Sequence, residues 1–282
     1  MHRQLTRLTG LVIAGAIFLS IAGPTGAAGT SMVRVLHASP DAPAVDVYLD
    51  GTVVSALTNV PFGVISGYLA IPAGAHNVKV YATGTTTGPV IDADVTVAAG
   101  SKYTIAATGA VASITAQVIQ DSPSPSCATA QVRVVHFSAD APAVDIATSG
   151  AAPADAVIKG LTYPNASAYL ALPGNTYDLD VRLAGTTTVA LALPGVAIAD
   201  CKAYSVFAIG SAASPAVGGN ALRVVVAVDA TASAVTAPPT ATIEAATTAT
   251  TSGIPATIVL MVIAAISFLG VVRFLGSRAP RI

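Results

Sequence analysis

One segment of the chain occurs twice. Residues 33–46 read VRVLHASPDAPAVD and residues 132–145 read VRVVHFSADAPAVD, an offset of 99 with eleven of the fourteen positions identical. Solenoid repeats have periods of about 20–50 residues, so a repeat spaced this widely is a whole domain. The chain is therefore expected to hold two copies of one module.

The duplication continues past the opening motif. GYLAIPAGAHNVKVYATGTTT (67–87) matches AYLALPGNTYDLDVRLAGTTT (168–188), and VTVAAGSKYTIAATG (95–109) matches VAIADCKAYSVFAIG (196–210), both at an offset of 101. The second copy thus has two extra residues before Tyr169, placed in the loop around 151–155.

Alternation marks the strands. Val45, Val47 and Leu49 alternate with Asp46, Tyr48 and Asp50, and the Asp50-Gly51 pair ends the run as a turn. Val78 and Val80 alternate with Asn77, Lys79 and Tyr81, and Leu179 and Val181 with Asp178, Asp180 and Arg182. Gly and Pro clusters punctuate these runs at short intervals, and no helical period appears. Each module is expected to be a sandwich of about seven short antiparallel strands, each sheet exposed on one face. Composition agrees. Charged residues are 10% of the chain, against about 25% in typical soluble domains. The sequence is instead rich in the Val, Thr, Ala and Gly of short strands and turns.

The ends carry different signals. Arg3 and Arg7 precede an apolar stretch, Leu8–Ala22, and Gly26-Ala27-Ala28 offers small residues for cleavage. This is the pattern of a secretory signal peptide cut after Ala28, with an uncleaved anchor as the alternative. Near the other end, residues 254–272 form an uninterrupted apolar run, about 28 Å long as a helix and so matched to a bilayer core. Arg273, Arg278 and Arg281 follow it, which puts the tail in the cytoplasm and residues 29–253 outside. Residues 235–253 are rich in Thr, Ala and Pro and read as a stalk. The expected order is signal peptide 1–28, module 1 over 29–122, module 2 over 123–234, stalk 235–253, transmembrane helix 254–272 and basic tail 273–282. Between residues 29 and 256 lie eight basic and fourteen acidic residues, a net charge of −6. An acidic ectodomain argues against a nucleic-acid partner.

The pattern V-R-V-x-H-x-S-x-D-A-P-A-V-D, followed by Y-L-A-[IL]-P, a Gly turn and a valine strand, resembles the bacterial domain of unknown function 4397. The resemblance covers residues 32–120 and 130–229. It implies secreted or surface-attached proteins, often with tandem copies, and an immunoglobulin-like or transthyretin-like β-sandwich. It brings no catalytic residues. The copies differ at Ala38/Phe137, Pro40/Ala139 and Tyr48/Ala147, so a site built on those positions would differ between modules.

The repeated motif holds the candidate cluster: Arg34, His37, Asp41 and Asp46, with Arg133, His136, Asp140 and Asp145. A hydrolase would take His37 or His136 as base, Asp as orienter and Ser39 or Ser138 as nucleophile. The spacing is not that of a nucleophile elbow. The competing structural reading has each histidine bonding a loop carbonyl or the aspartate. Asp41, Asp46, Asp50, Asp140 and Asp145 also raise Ca²⁺, which takes six to eight oxygens, though no EF-hand spacing is present and Ser149 stands opposite Asp50. The structural alternative has Asp41 closing its own proline turn, with Asp46 paired to Arg34 and Asp145 to Arg133. Cys127 and Cys201 are the only cysteines, and in an oxidising compartment they read as a disulfide worth about 3–4 kcal/mol, with two free thiols as the alternative. Asn165-Ala166-Ser167 is a glycosylation sequon.

The function expected is a membrane-anchored surface protein, not an enzyme, displaying two β-sandwich modules for binding, adhesion or envelope structure. A polysaccharide or protein would be its ligand, and no cofactor is called for. An extracellular hydrolase and a self-assembling envelope subunit are the alternatives.

Overall fold

The computed structural model describes residues 29–213 and 215–233. These residues all fall in one compact unit. The expected signal peptide, stalk, transmembrane helix and tail lie outside the described residues. Among the described residues no helix is long and apolar enough to cross a membrane.

The first half forms β1 (Thr30–His37), β2 (Val45–Leu49), β3 (Thr52–Val53), β4 (Leu69–Pro72), β5 (Gly74–Ala82), β6 (Ile91–Val97), β7 (Lys102–Thr108) and β8 (Thr115–Asp121). The second half forms β9 (Ala130–His136), β10 (Val144–Thr148), β11 (Ile158–Leu161), β12 (Leu170–Leu172), β13 (Asn175–Leu183), β14 (Val189–Ile198), β15 (Lys202–Ile209) and β16 (Arg223–Thr231). Each module has eight strands, one more than the alternation predicts, because β3 and β11 are too short to show a period. The sheets are β4-β1-β7-β8 with β3-β2-β5-β6, then β12-β9-β15-β16 with β11-β10-β13-β14. The second pair repeats the first with every strand number raised by eight. An immunoglobulin-like sandwich would order its sheets A-B-E-D and C-F-G, and neither sheet here does so.

In module 1 the alternating valines face inward as expected. Val33, Val45, Val47, Val78, Val80, Ile91, Val95, Val97 and Ile105 form one buried core between the two sheets. Val132, Val134, Ile146, Leu161, Val181, Ile198 and Val206 do the same in module 2. The β2–β3 hairpin turns at Asp50-Gly51, both at positive φ (49° and 79°), as the sequence indicates.

The expectation of sheets exposed on one face holds only for the outer sheets. β1 runs parallel to β7, and β9 parallel to β15. The sheets containing these pairs face each other across a seam between the modules. Leu36, Ala38 and Ala106 of module 1 pack there with Val135, Phe137, Phe207 and Ile209 of module 2 in a third buried cluster. Both faces of β1 and β9 are therefore buried, one against the module's own core and one against the other module. Phe137, which replaces Ala38, stacks on Phe207 with centroids 5.9 Å apart and fills this seam.

Cys127 and Cys201 form a disulfide that ties the segment before β9 to the turn before β15. Module 1 has Gly100 at the position of Cys201, and both hold positive φ (73° and 64°).

Candidate functional site

The repeated motif does not assemble one site. The structure disperses its polar residues into three structural arrangements, one of which spans both modules.

The arginines point into the seam. Arg34 Nη2 donates to Asp229 of module 2 at 2.5 Å and lies 3.6 Å from Asp121, while Arg133 Nη2 donates to Asp121 of module 1. Each arginine thus pairs with an acid of the other module. The expected pairings of Arg34 with Asp46 and Arg133 with Asp145 do not form, because β1 and β2 belong to different sheets, as do β9 and β10. Each acid has further donors. Tyr68 and Thr104 donate to Asp121 at 2.6 and 2.7 Å, and Tyr169 and Ser205 donate to Asp229, both at 2.6 Å. Arg34 Nε donates to Thr104 at 2.8 Å and Arg133 Nε to Ser205 at 2.7 Å. Each guanidinium also covers a tyrosine ring, 4.7 Å from Tyr68 and 4.9 Å from Tyr169. Burial, then the bond to a carboxylate, pushes both phenols above their ordinary pKa. Both arginines and both acids are buried. Two opposite charges on each side cancel, which is the condition for holding ions in a dry interface.

The sequence reading missed Asp121 and Asp229. They are equivalent, but their offset is 108, not 101, because the loop before β16 is seven residues longer than its counterpart. Tyr68 and Tyr169 lie within the repeated Y-L-A, which offered a signal for them.

The histidines behave as strand-end residues. His37 Nε2 donates to the Pro43 carbonyl at 2.9 Å and His136 Nε2 to that of Pro142 at 3.1 Å. Their Nδ1 atoms are buried without a partner. Burial holds both pKa values below the ordinary imidazole value, with the carbonyl bond opposing. Ser39 and Ser138 are fully buried. Ser39 Oγ lies 3.5 Å from Asp41, and Ser138 donates to Asp140 at 3.2 Å and to the Gly210 carbonyl at 2.7 Å. These bonds join neither serine to a histidine.

The aspartates hold loops. Asp41 accepts from the Val111 amide at 2.7 Å, so it fastens the β7–β8 loop and not its own proline turn. Asp140 accepts from Ser211, Ala212 and Ala213 in the β15–β16 loop. Asp46 accepts from the Asn59 and Gly84 amides, and Asp145 from those of Gly160 and Gly185. Among the described residues no group of three or more His, Cys, Asp or Glu side chains is placed to hold a metal ion. The sequon residue Asn165 is exposed, and its amide donates to Thr162 at 2.9 Å.

A different surface distinguishes the modules. On the outer face of β3-β2-β5-β6, Tyr48 and Tyr81 meet edge to face with centroids 5.0 Å apart. Beside them Lys79 pairs with Asp92 at 2.9 Å, and the Asn77 amide donates to Asp92 and Asp94 at 2.9 and 3.0 Å. Asp92 and Asp94 are exposed, and the two tyrosines half-buried. In module 2 the matching positions hold Ala147, Asp178, Asp180 and Arg182. Arg182 is buried, donating to Asp180 at 2.8 Å and to the Ala151 carbonyl at 2.5 Å. The loop that carries the two-residue insertion thus closes over this position, which stays open in module 1.

No curated protein matches the sequence. Among the solved structures to which the chain is similar are the following two. One is a "putative cell adhesion protein" from Bacteroides eggerthii DSM 20697, at 12% identity and a TM-score of 0.19, covering 73% of this chain and 97% of that one. The other is the Bacillus anthracis TIE protein, also at 12% identity and a TM-score of 0.19, covering 65% of this chain and 34% of that one. The family model "Domain of unknown function (DUF4397)" matches residues 31–147, which run from β1 through most of β10 and so take in all of module 1 and the start of module 2.

Proposed function

We propose that this chain is a membrane-anchored surface protein that holds two joined transthyretin-like sandwiches outside the cell and binds polysaccharide on the outer face of module 1. Module 2 is read as a second copy of the family domain. The N-terminal basic-apolar pattern, the apolar run at 254–272 and its trailing arginines support the topology. The disulfide agrees with an oxidising compartment.

One observation carries the binding reading: the aromatic and polar patch of Tyr48, Tyr81, Asn77, Lys79, Asp92 and Asp94 is present on one module and replaced on the other. Sugar rings offer apolar C–H faces and hydroxyls that both donate and accept. Tyrosine rings present flat apolar area with a polar edge. The carboxylates and the amide supply acceptors and donors beside them, and each carboxylate has lone pairs left after its internal bonds. Burial of the seam leaves this outer face as the exposed sheet of module 1.

The test is a glycan array probed with the full chain in nanodiscs, beside Tyr48→Ala/Tyr81→Ala. Retention of a polysaccharide, lost at least tenfold in the variant with an unchanged circular-dichroism spectrum, supports the reading. Equal binding by the variant, binding only to protein, or ester or glycoside turnover that disappears in His37→Ala/His136→Ala would overturn it.

A further inference from the structure

The interior of module 1 is incompletely filled. A cavity of about 330 Å³ lies between its two sheets, lined among others by Val35, Val47, Leu49, Leu69, Ile71 and Val78. Facing sheets stand about 10 Å apart, a gap that side chains from both must fill. Valine is short, and no aromatic residue belongs to the buried core of this module. Module 2 provides an internal control with the same topology. Its equivalent cavity is about 90 Å³. At four lining positions it has a larger side chain: Ile146 for Val47, Tyr177 for His76, Leu179 for Val78 and Ile198 for Val97. Thr148 for Leu49 and Val206 for Ile105 go the other way. The net effect closes the second cavity and leaves the first open.

Its polar side chains are two, Ser55 and His76, and the His76 ring is already engaged. The His76 ring bonds Asp50 through Nδ1 at 2.7 Å and the Pro72 carbonyl through Nε2 at 2.8 Å. Ser55 stands at the rim beside exposed Ala56, with exposed Ala70 of β4 also lining the opening. A buried water needs two to four polar partners, and this lining does not offer them. An empty apolar space costs stability in proportion to its volume, so an apolar occupant gains what the empty module loses. Small-molecule sites span about 300–1,000 Å³, and an apolar cavity of about 150 Å³ is enough to take benzene. The first cavity falls in that range and the second does not.

We propose that module 1 binds an unbranched hydrocarbon chain, the acyl portion of a fatty acid or lipid, between its sheets. The chain enters between residues 55–57 and β4, past Ser55, Ala56 and Ala70. This site is separate from the outer-face patch and does not depend on it.

The test uses the full chain in its native membrane with two photoreactive probes. One is dodecanoic acid carrying a diazirine, and the other is phosphatidylcholine with the same group on its acyl chain. Cross-linked peptides are mapped by mass spectrometry. The expected result is labelling on β1, β4 and β5 of module 1, by the free acid, the lipid or both. It should fall at least tenfold in Val47→Ile/His76→Tyr/Val78→Leu/Val97→Ile, which copies a packing that module 2 already tolerates. Ala56→Trp, at the exposed mouth, should block labelling without entering the core. Absence of label from these strands, or label unchanged by both variants, would overturn the proposal.

Discussion

Arg34 on β1 donates to Asp229 on β16 at 2.5 Å, joining residues 195 positions apart and in different modules. Arg133 and Asp121 make the reciprocal connection. The two modules are thus locked by an exchange of charges, surrounded by Tyr68, Tyr169, Thr104 and Ser205. A buried ion pair contributes little net stability over a packed apolar pair, but loss of one partner leaves an uncompensated charge.

Asp229→Leu should therefore lower unfolding free energy by about 3–5 kcal/mol, because Arg34 loses its partner, and Arg34→Met by a similar amount. Arg34→Met/Asp229→Leu should lose clearly less than the sum, since no charge is then left alone at that pair. Urea denaturation of the four proteins measures this as a double-mutant cycle. Additive losses would show that the two residues act independently.

The outer sheets were legible because one face of each is exposed, so Val45–Leu49 and Val78–Tyr81 alternate visibly. The seam was not. With β1 buried on both faces, Val33 and Val35 point to one core while Arg34 and Leu36 point to another, and polarity no longer reports exposure. Arg34 looked like a partner for Asp46 because consecutive strands were assumed adjacent. The topology sends them to different sheets and supplies Asp229, whose equivalence to Asp121 is hidden by the longer loop before β16. The loop-holding roles of His37 and His136 were readable from the prolines around them, although nothing in the motif said that Asp41 would reach Val111.

Stability should depend on pH with two opposite contributions. Burial lowers the pKa of His37 and His136 from the ordinary 6.5. The unfolded chain therefore binds more protons than the native one below about 6.5, and stability from these residues, complete above that pH, is lost as the pH falls toward the folded values. His76 has a raised pKa, through its bond to Asp50 first and to Pro72 second. Its contribution is complete below about 6.5 and is lost as pH rises through the folded value. Thermal melts from pH 5 to 8 should show His37→Gln/His136→Gln flattening the acid side and His76→Gln the neutral side. Unchanged slopes would exclude both assignments.

The disulfide closes a loop of 74 residues within module 2. Cys127→Ser should cost about 3–4 kcal/mol in denaturant unfolding, and excess reductant should reproduce the loss in the native protein. Cys201 holds φ 64°, a left-handed conformation that glycine adopts freely and Gly100 adopts in module 1. In the Cys127→Ser background, Cys201→Gly should be more stable than Cys201→Ser by about 1 kcal/mol. Equal stabilities would mean that this backbone conformation carries no cost once the bridge is gone.

The carboxylates considered for calcium each accept a hydrogen bond from the protein itself. Burial disfavours the charged form of Asp140, but the bonds from Ser211, Ala212 and Ala213 outweigh it and hold its pKa below the ordinary 3.8. Backbone bonds from Asn59 and Gly84 lower that of Asp46, and the His76 bond lowers that of Asp50. Each group then contributes stability that is complete above about pH 4 and is lost as pH falls through the folded value. Asp140→Ala should release the β15–β16 loop and lower stability by about 1–3 kcal/mol, because the amides of Ala212 and Ala213 lose their acceptor. Addition of EDTA, or of millimolar calcium after it, should leave the melting temperature of the native protein unchanged. A calcium-dependent rise that disappears in Asp46→Asn or Asp140→Asn would show that these oxygens serve a cation instead of the loops they hold.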